Sequence, residues 1–193
     1  MQKVRTQTNA QRSAQTRRAL VVAARSLFVE KGFAATSTPE LVERAGLTRG
    51  ALYHHFRDKS EVLHAVLEEE ARQVAEEIEN AEPANASPVD ALRVGSVAYL
   101  NAMDVPGRTR LLLIEGPAVL GTARMAALDE GHAAASLREG LEDAMPGRDV
   151  AALTNLLSAS FDRAALDIDG GGDKGEVQAA MLFLIDRVVT PAR

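Results

Sequence analysis

Seven consecutive residues, Arg49-Gly50-Ala51-Leu52-Tyr53-His54-His55, put a guanidinium, two imidazoles and a phenol on one short segment. If the segment is a helix with Leu52 and Phe56 inside at i, i+4, then Gly50 and His54 point away from the core and Arg49, Ala51, Tyr53 and His55 lie on the flanks. The chemistry this suits is reading a nucleic acid. In a major groove Arg49 and His54 offer donors to base edges, and the Ala51 methyl can meet a thymine methyl. Gly50 lets the two backbones come close. Tyr53, His55 and Lys59 can reach phosphates, as can Thr38, Thr48 and the free N–H groups at the helix N-termini.

Other chemistries find less support. Four histidines, His54, His55, His64 and His132, form no pair at a ligand spacing on one helix face with a carboxylate, so no metal site is expected. The stretch from Asp167 to Glu176 has the acids and glycines of a calcium loop in the wrong register. Its third acidic position falls on Gly171 and its closing Glu position on Gln178, so it reads as an interhelical turn. There is no cysteine nucleophile and no Gly-x-Ser-x-Gly elbow. Glu115, the one acid in an apolar neighbourhood, reads as a helix end at the surface. Neither a catalytic site nor a cofactor is expected, and the chain is not read as an enzyme.

The elements that must position the reading segment are sharply punctuated. Thr16 is read as the cap of a first helix over about 16–31, with Leu20, Ala24, Leu27, Phe28 and Lys31 as its stripe and Gly32 as its stop. Thr38 followed by Pro39 reads as the cap and first position of a second helix, which Gly46 ends. Thr48 caps the reading helix, and Asp58 with Glu61 opens a long helix over about 59–80. Two short helices joined by a three-residue turn containing glycine form a helix-turn-helix.

The stretch resembles the DNA-binding motif of the tetracycline-repressor-like (TetR) family. The resemblance rests on Gly32-Phe33, Thr36-Ser37-Thr38, Ala45-Gly46-Leu47-Thr48, Gly50, Leu52-Tyr53-His54-His55-Phe56 and Lys59, and covers roughly residues 16–64. Pro39-Glu40-Leu41-Val42 departs from the family's usual Val-x-x-Ile-Ala while keeping the helix face. The resemblance implies a transcription factor, most often a repressor. It would bind a palindromic double-stranded operator as a homodimer and be released by a small-molecule effector held in a helical body. Two alternatives stay open: a ligand-free DNA-binding protein, and a ligand carrier or enzyme on the same scaffold.

Composition agrees with a globular protein: of 193 residues, 46% are hydrophobic and 25% charged. The formal charge of −5 conceals a division. Residues 1–59 hold eleven Lys/Arg against four acids, a net of +7, and residues 60–193 hold eleven against twenty-three, a net of −12. The polyanion-binding surface therefore belongs to the N-terminal end. Absence of cysteine and of any long apolar run suits a cytoplasmic chain that does not enter a membrane.

The expected division is a basic flexible arm over 1–15, a DNA-binding domain over 16–64, and an effector-binding and dimerisation domain over 65–193. No strand signal appears, and the chain reads as all-α with about nine helices. In the body, Ser87-Pro88 starts a helix that Pro106-Gly107 breaks. A short apolar piece, Leu111 to Ile114, is expected to stop at Gly116-Pro117. Asp149 is read as a cap, and the last helix spans about 174–189. That helix is apolar on more than one side, which points to a partner. Leu157, Phe161, Met181, Leu182, Ile185 and Val189 are the candidate dimer-interface residues, and Tyr99, Met103, Leu112, Met125 and Leu128 the candidate ligand-pocket residues.

Overall fold

The computed structural model describes residues 8–190. Among them every regular element is helical, as expected for an all-α chain. The chain divides into two compact units, Met1–Leu67 and Glu68–Arg193.

The first unit contains α1 (Asn9–Ala35), α2 (Thr38–Arg44), α3 (Arg49–His55) and the start of α4 (Lys59–Ala81). Helix α1 begins at Asn9 rather than near residue 16. Its cap is Thr8, whose hydroxyl accepts from the Gln11 N–H while the Gln11 side chain accepts from the Thr8 N–H. That reciprocal box is worth about 1 kcal/mol at a helix start, and Thr16 lies inside the helix. Of the expected arm, residues 8–15 are thus the cap and opening turns of α1, while residues 1–7 lie outside the described residues. Gly32 breaks the helix at φ 82°, after which one more turn runs to Ala35.

Leu20, Ala24, Leu27 and Phe28 are buried, and they pack with Leu41, Leu52, Phe56 and Val62 as the core of the unit. Lys31 is not part of that stripe. It is exposed and paired with Glu40.

The second unit holds the rest of α4, α5 (Pro88–Met103), α6 (Arg108–Arg110), α7 (Gly116–Leu120), α8 (Thr122–Glu130), α9 (Ala133–Ala144), α10 (Ala151–Asp169) and α11 (Lys174–Val189). Pro117 does not stop the helical run. A π-turn over Leu111–Glu115 joins α6 to α7, with the Gly116 N–H donating to Leu111 O, five residues back. Pro117 then sits in the first turn of α7, where a proline has no N–H to miss. This also accounts for the larger number of helical pieces than the nine or so expected.

Asp149 accepts from the Ala151 N–H but stands outside the cap, which is Val150. Asp173 caps α11, whose limits are those expected. Helices α5 and α9 meet closely at Gly140, where an added Cβ would fall 2.7 Å from Leu92 Cδ2. No described helix is long and apolar enough to cross a membrane.

Candidate nucleic-acid interface and interior cavities

In the first unit, the turn between α2 and α3 is built by three residues. Gly46 takes φ +65° and donates to Glu43 O, and Leu47 N–H donates back to Val42 O at 2.8 Å. Those two bonds satisfy the last carbonyls of α2 in the left-handed glycine motif. Thr48 then caps α3 by accepting from the Ala51 N–H at 3.2 Å. The cap of α2 falls one residue earlier than expected. Ser37 accepts from the Glu40 N–H while Glu40 accepts from the Ser37 N–H, leaving Thr38 as the first helical residue.

Two ion pairs fix α2 against α1. Arg44 grips Glu30 with both guanidinium nitrogens at 2.7 and 2.9 Å, and Lys31 holds Glu40. These partners draw the Glu30 and Glu40 carboxyls down to about 2, the side-chain hydrogen bond being the leading cause in each. Arg44 and Lys31 thereby spend their charge internally.

The sequence-predicted contact residues share one exposed face only in part. Leu52 is buried, while Arg49, Gly50, Tyr53 and His54 are exposed, Tyr53 at 54%. Thr48 is exposed at the N-terminus of α3, and Thr38, Ala51 and His55 are half-buried. His54 and His55 rings meet edge-to-face at 5.1 Å. Burial, then the neighbouring His54 and Arg17, hold His55 below the ordinary imidazole value. It therefore stays neutral at neutral pH.

Gly50 has no internal reason to be glycine: a Cβ there would meet only Thr48 Oγ1, at 3.8 Å. Lys59 is placed differently from the rest. Its ammonium donates to Phe33 O and Thr36 O, both at 2.7 Å, and lies 4.2 Å from the Phe33 ring centroid. It caps the broken end of α1 from within, and in this structure its donors are turned inward. Sequence patterning missed this role because it depends on Gly32 bending the chain toward α4.

In the second unit, all five candidate pocket residues fall on one wall system. Tyr99, Met103, Leu112, Met125 and Leu128 line a cavity of about 470 Å³ between α4, α5, the 108–120 run, α8 and α10. A second cavity of about 270 Å³ shares Tyr99, Asp129 and Ser158 with it. Polar groups that the sequence did not single out converge on that shared wall. Tyr99 donates its hydroxyl to Asp162 at 2.8 Å, and Ser158 donates to Asp129 at 3.2 Å. Burial, before any other cause, raises Asp129 above the ordinary carboxylate value and pushes Asp162 up to about 6.

Elsewhere in the second unit, Arg108 is 2% exposed and Glu70 1% exposed. Arg108 donates to Glu70 at 3.0 Å, Glu77 at 2.9 Å, Gln73 at 2.9 Å and Ala102 O at 2.7 Å. The start of the π-turn run is thereby fastened to α4.

The expected dimer residues are mostly spent inside the chain. Leu157, Phe161, Met181, Ile185 and Val189 are buried in their own core, and Leu182 is half-buried. The apolar surface of α10 and α11 that remains uncovered is Leu156 at 69% exposure, Phe183 at 62%, and Leu184. The division between covered and uncovered residues is a matter of helical phase. The stripe Met181, Ile185, Val189 packs home, so the second stripe faces out.

Residues 20–66 match the family described as bacterial regulatory proteins, tetR family, and residues 89–191 match the tetracyclin repressor-like C-terminal domain. A TetR-family transcriptional regulator from Pectobacterium atrosepticum superposes with a TM-score of 0.72 at 30% identity, over 94% of this chain and 95% of that one. The HTH-type transcriptional regulator AcrR of Shigella flexneri is 33% identical over 104 residues, 53% of this chain and 48% of AcrR. The regulator LfrR of Mycobacterium smegmatis, solved in complex with proflavine, has a TM-score of 0.64 at 18% identity, over 93% of this chain and 98% of LfrR. The chain spans between a quarter and about half the length of the curated relatives it matches.

Proposed function

The chain belongs to the TetR family of bacterial regulatory proteins, and from that premise we propose that it is a dimeric, sequence-specific regulator of transcription, acting as an effector-released repressor. The observation that carries this reading is the face of α3. Arg49, Gly50, Tyr53 and His54 stand free of the unit's own packing on a segment with a net charge of +7. The helix beneath them is fixed by its Thr48 cap and by the burial of Leu52 and Phe56 rather than by anything those four residues do. Donors held still and left exposed are what direct base readout requires.

Two copies of α3 related by a two-fold axis would read a palindromic operator. The dimer would form through α10 and α11, where Leu156, Phe183 and Leu184 are the large apolar side chains left exposed. The effector would occupy the cavity of about 470 Å³, a size typical of small-molecule sites. Its signal would pass along α4, which begins in the reading unit at Lys59 and carries Glu70, Gln73 and Glu77 to Arg108 in the other. An effector acts by binding the DNA-incompetent state more tightly than the competent one.

The test is selection of bound DNA from a random pool at moderate salt. A two-fold-symmetric consensus is expected. A pool that yields no consensus would leave only counterion-driven binding and overturn the proposal.

A further inference from the structure

The two cavities of the second unit have an unusual balance of charge. Among the described residues neither is lined by a single lysine or arginine. Their walls include seven acids, five exposed at the surface and two half-buried: Asp129, which belongs to both, and Asp162, which belongs to the larger. The remainder of the larger cavity is mainly aliphatic, with Met103, Leu112, Met125 and Leu166 around it. Asp129 and Asp162 are not spent on ion pairs to lysine or arginine among the described residues. Asp162 accepts only the Tyr99 hydroxyl, and Asp129 accepts from Ser158 and from the Ala134 N–H, with His132 nearby.

Withdrawing two carboxylates even partly from water, against aliphatic walls and without a lysine or arginine partner, is costly. A protein whose core merely needed filling would reach lower energy with Asn or Leu at these positions. The arrangement is stable once a cation arrives from outside, since a charge-assisted hydrogen bond in a low-dielectric chamber is about twice as strong as a neutral one. Burial also holds the Tyr99 phenol well above its ordinary value, so it remains a donor aimed at Asp162. It leaves the other carboxylate oxygen for a ligand. Tyr99 and Phe161, edge-to-face at 5.5 Å, add a ring surface beside it.

We infer that the effector is an organic cation, an amine or charged heteroaromatic whose positive centre sits by Asp129 and Asp162 and whose apolar body lies among Met103, Leu112 and Met125. The inference rests on the proposed effector role of this cavity. The same walls exclude anions. A carboxylate or phosphate ligand would find no lysine or arginine on either wall, and among the described residues His132 of the larger cavity is the only basic side chain there.

Three probes of one shape test this by calorimetric titration of the full chain at pH 7.5: 1-naphthylmethylammonium, 1-naphthylmethanol and 1-naphthoate. The ammonium should bind roughly tenfold or more tighter than the alcohol, in line with an ionic hydrogen bond, and the carboxylate should not bind. Asp162→Asn and Asp129→Asn should each erase most of that preference, and the double variant should bring ammonium and alcohol to one affinity. Equal binding of ammonium and alcohol to the unaltered chain, or tighter binding of the carboxylate, would overturn the cation inference while leaving the cavity as an effector site. If none of the three bound while operator binding persisted, the effector reading of the cavity would fall as well.

Discussion

A glycine inside a helix costs roughly 1 kcal/mol against alanine, and nothing in the chain repays that cost at Gly50. Gly50→Ala should therefore raise the denaturation free energy of the reading unit by about 0.5–1 kcal/mol while weakening operator binding tenfold or more. Chemical denaturation and a binding isotherm on the same sample check both; loss of stability together with binding would mean that Gly50 serves the fold. Asp162 supplies a second residue-scale prediction, made without ligand. Its native value of about 6 lies above the ordinary 3.8, so the folded state holds the proton more tightly than the unfolded chain. The stabilisation is complete below about 4 and is lost as pH rises through about 6. Asp162→Asn should remove that part of the pH slope and gain about 1–2 kcal/mol at pH 7.5, readable as thermal midpoints from pH 4 to 8.

The stability of the linkage between α4 and the cavity wall depends on Arg108. Arg108→Ala would break its buried ion pair with Glu70, a loss that costs about 3–5 kcal/mol. Arg108→Met with Glu70→Leu should recover most of this, because the paired charges gain little over packed apolar groups. Urea melts of the two variants decide it, and equal losses would place the contribution elsewhere. At this scale the sequence was informative where physics is local. Gly46, Thr48 and Ser87 announce their turns and caps by type and position, and the inward candidates on α5, the 108–120 run and α8 all lie on the wall of one cavity. The Thr8/Gln11 and Ser37/Glu40 boxes follow a readable reciprocal pattern that competes with the nearby Thr16 and Thr38. What stayed illegible depends on distant partners. Lys59 turns to the carbonyls of α1 across a bend, Asp129 and Asp162 meet only once α8 and α10 are packed, and α11 offers two apolar stripes whose phase only its neighbours decide.

At the scale of the whole molecule, assembly and charge act together. Placing a charge in the uncovered patch, Phe183→Glu or Leu156→Glu, should give a monomer by light scattering with little change in the thermal midpoint. The loss of the second reading helix should then weaken operator binding by at least a hundredfold at low protein concentration. A dimer that survived both changes would move the interface off α10 and α11. The acidic body and basic head would also make binding steeply salt-dependent, since released counterions supply much of the affinity. The π-turn at Leu111–Glu115 has a different kind of consequence. Such a turn takes up one residue more than an α-turn while leaving the helix on either side nearly in phase. A chain shortened by one residue within Leu111–Glu115 would close as ordinary helix with its flanks in nearly the same phase. The cavity wall can thus change its contour through a change in length, at a place where insertion and deletion leave the framework intact and alter only the shape of what the chamber admits.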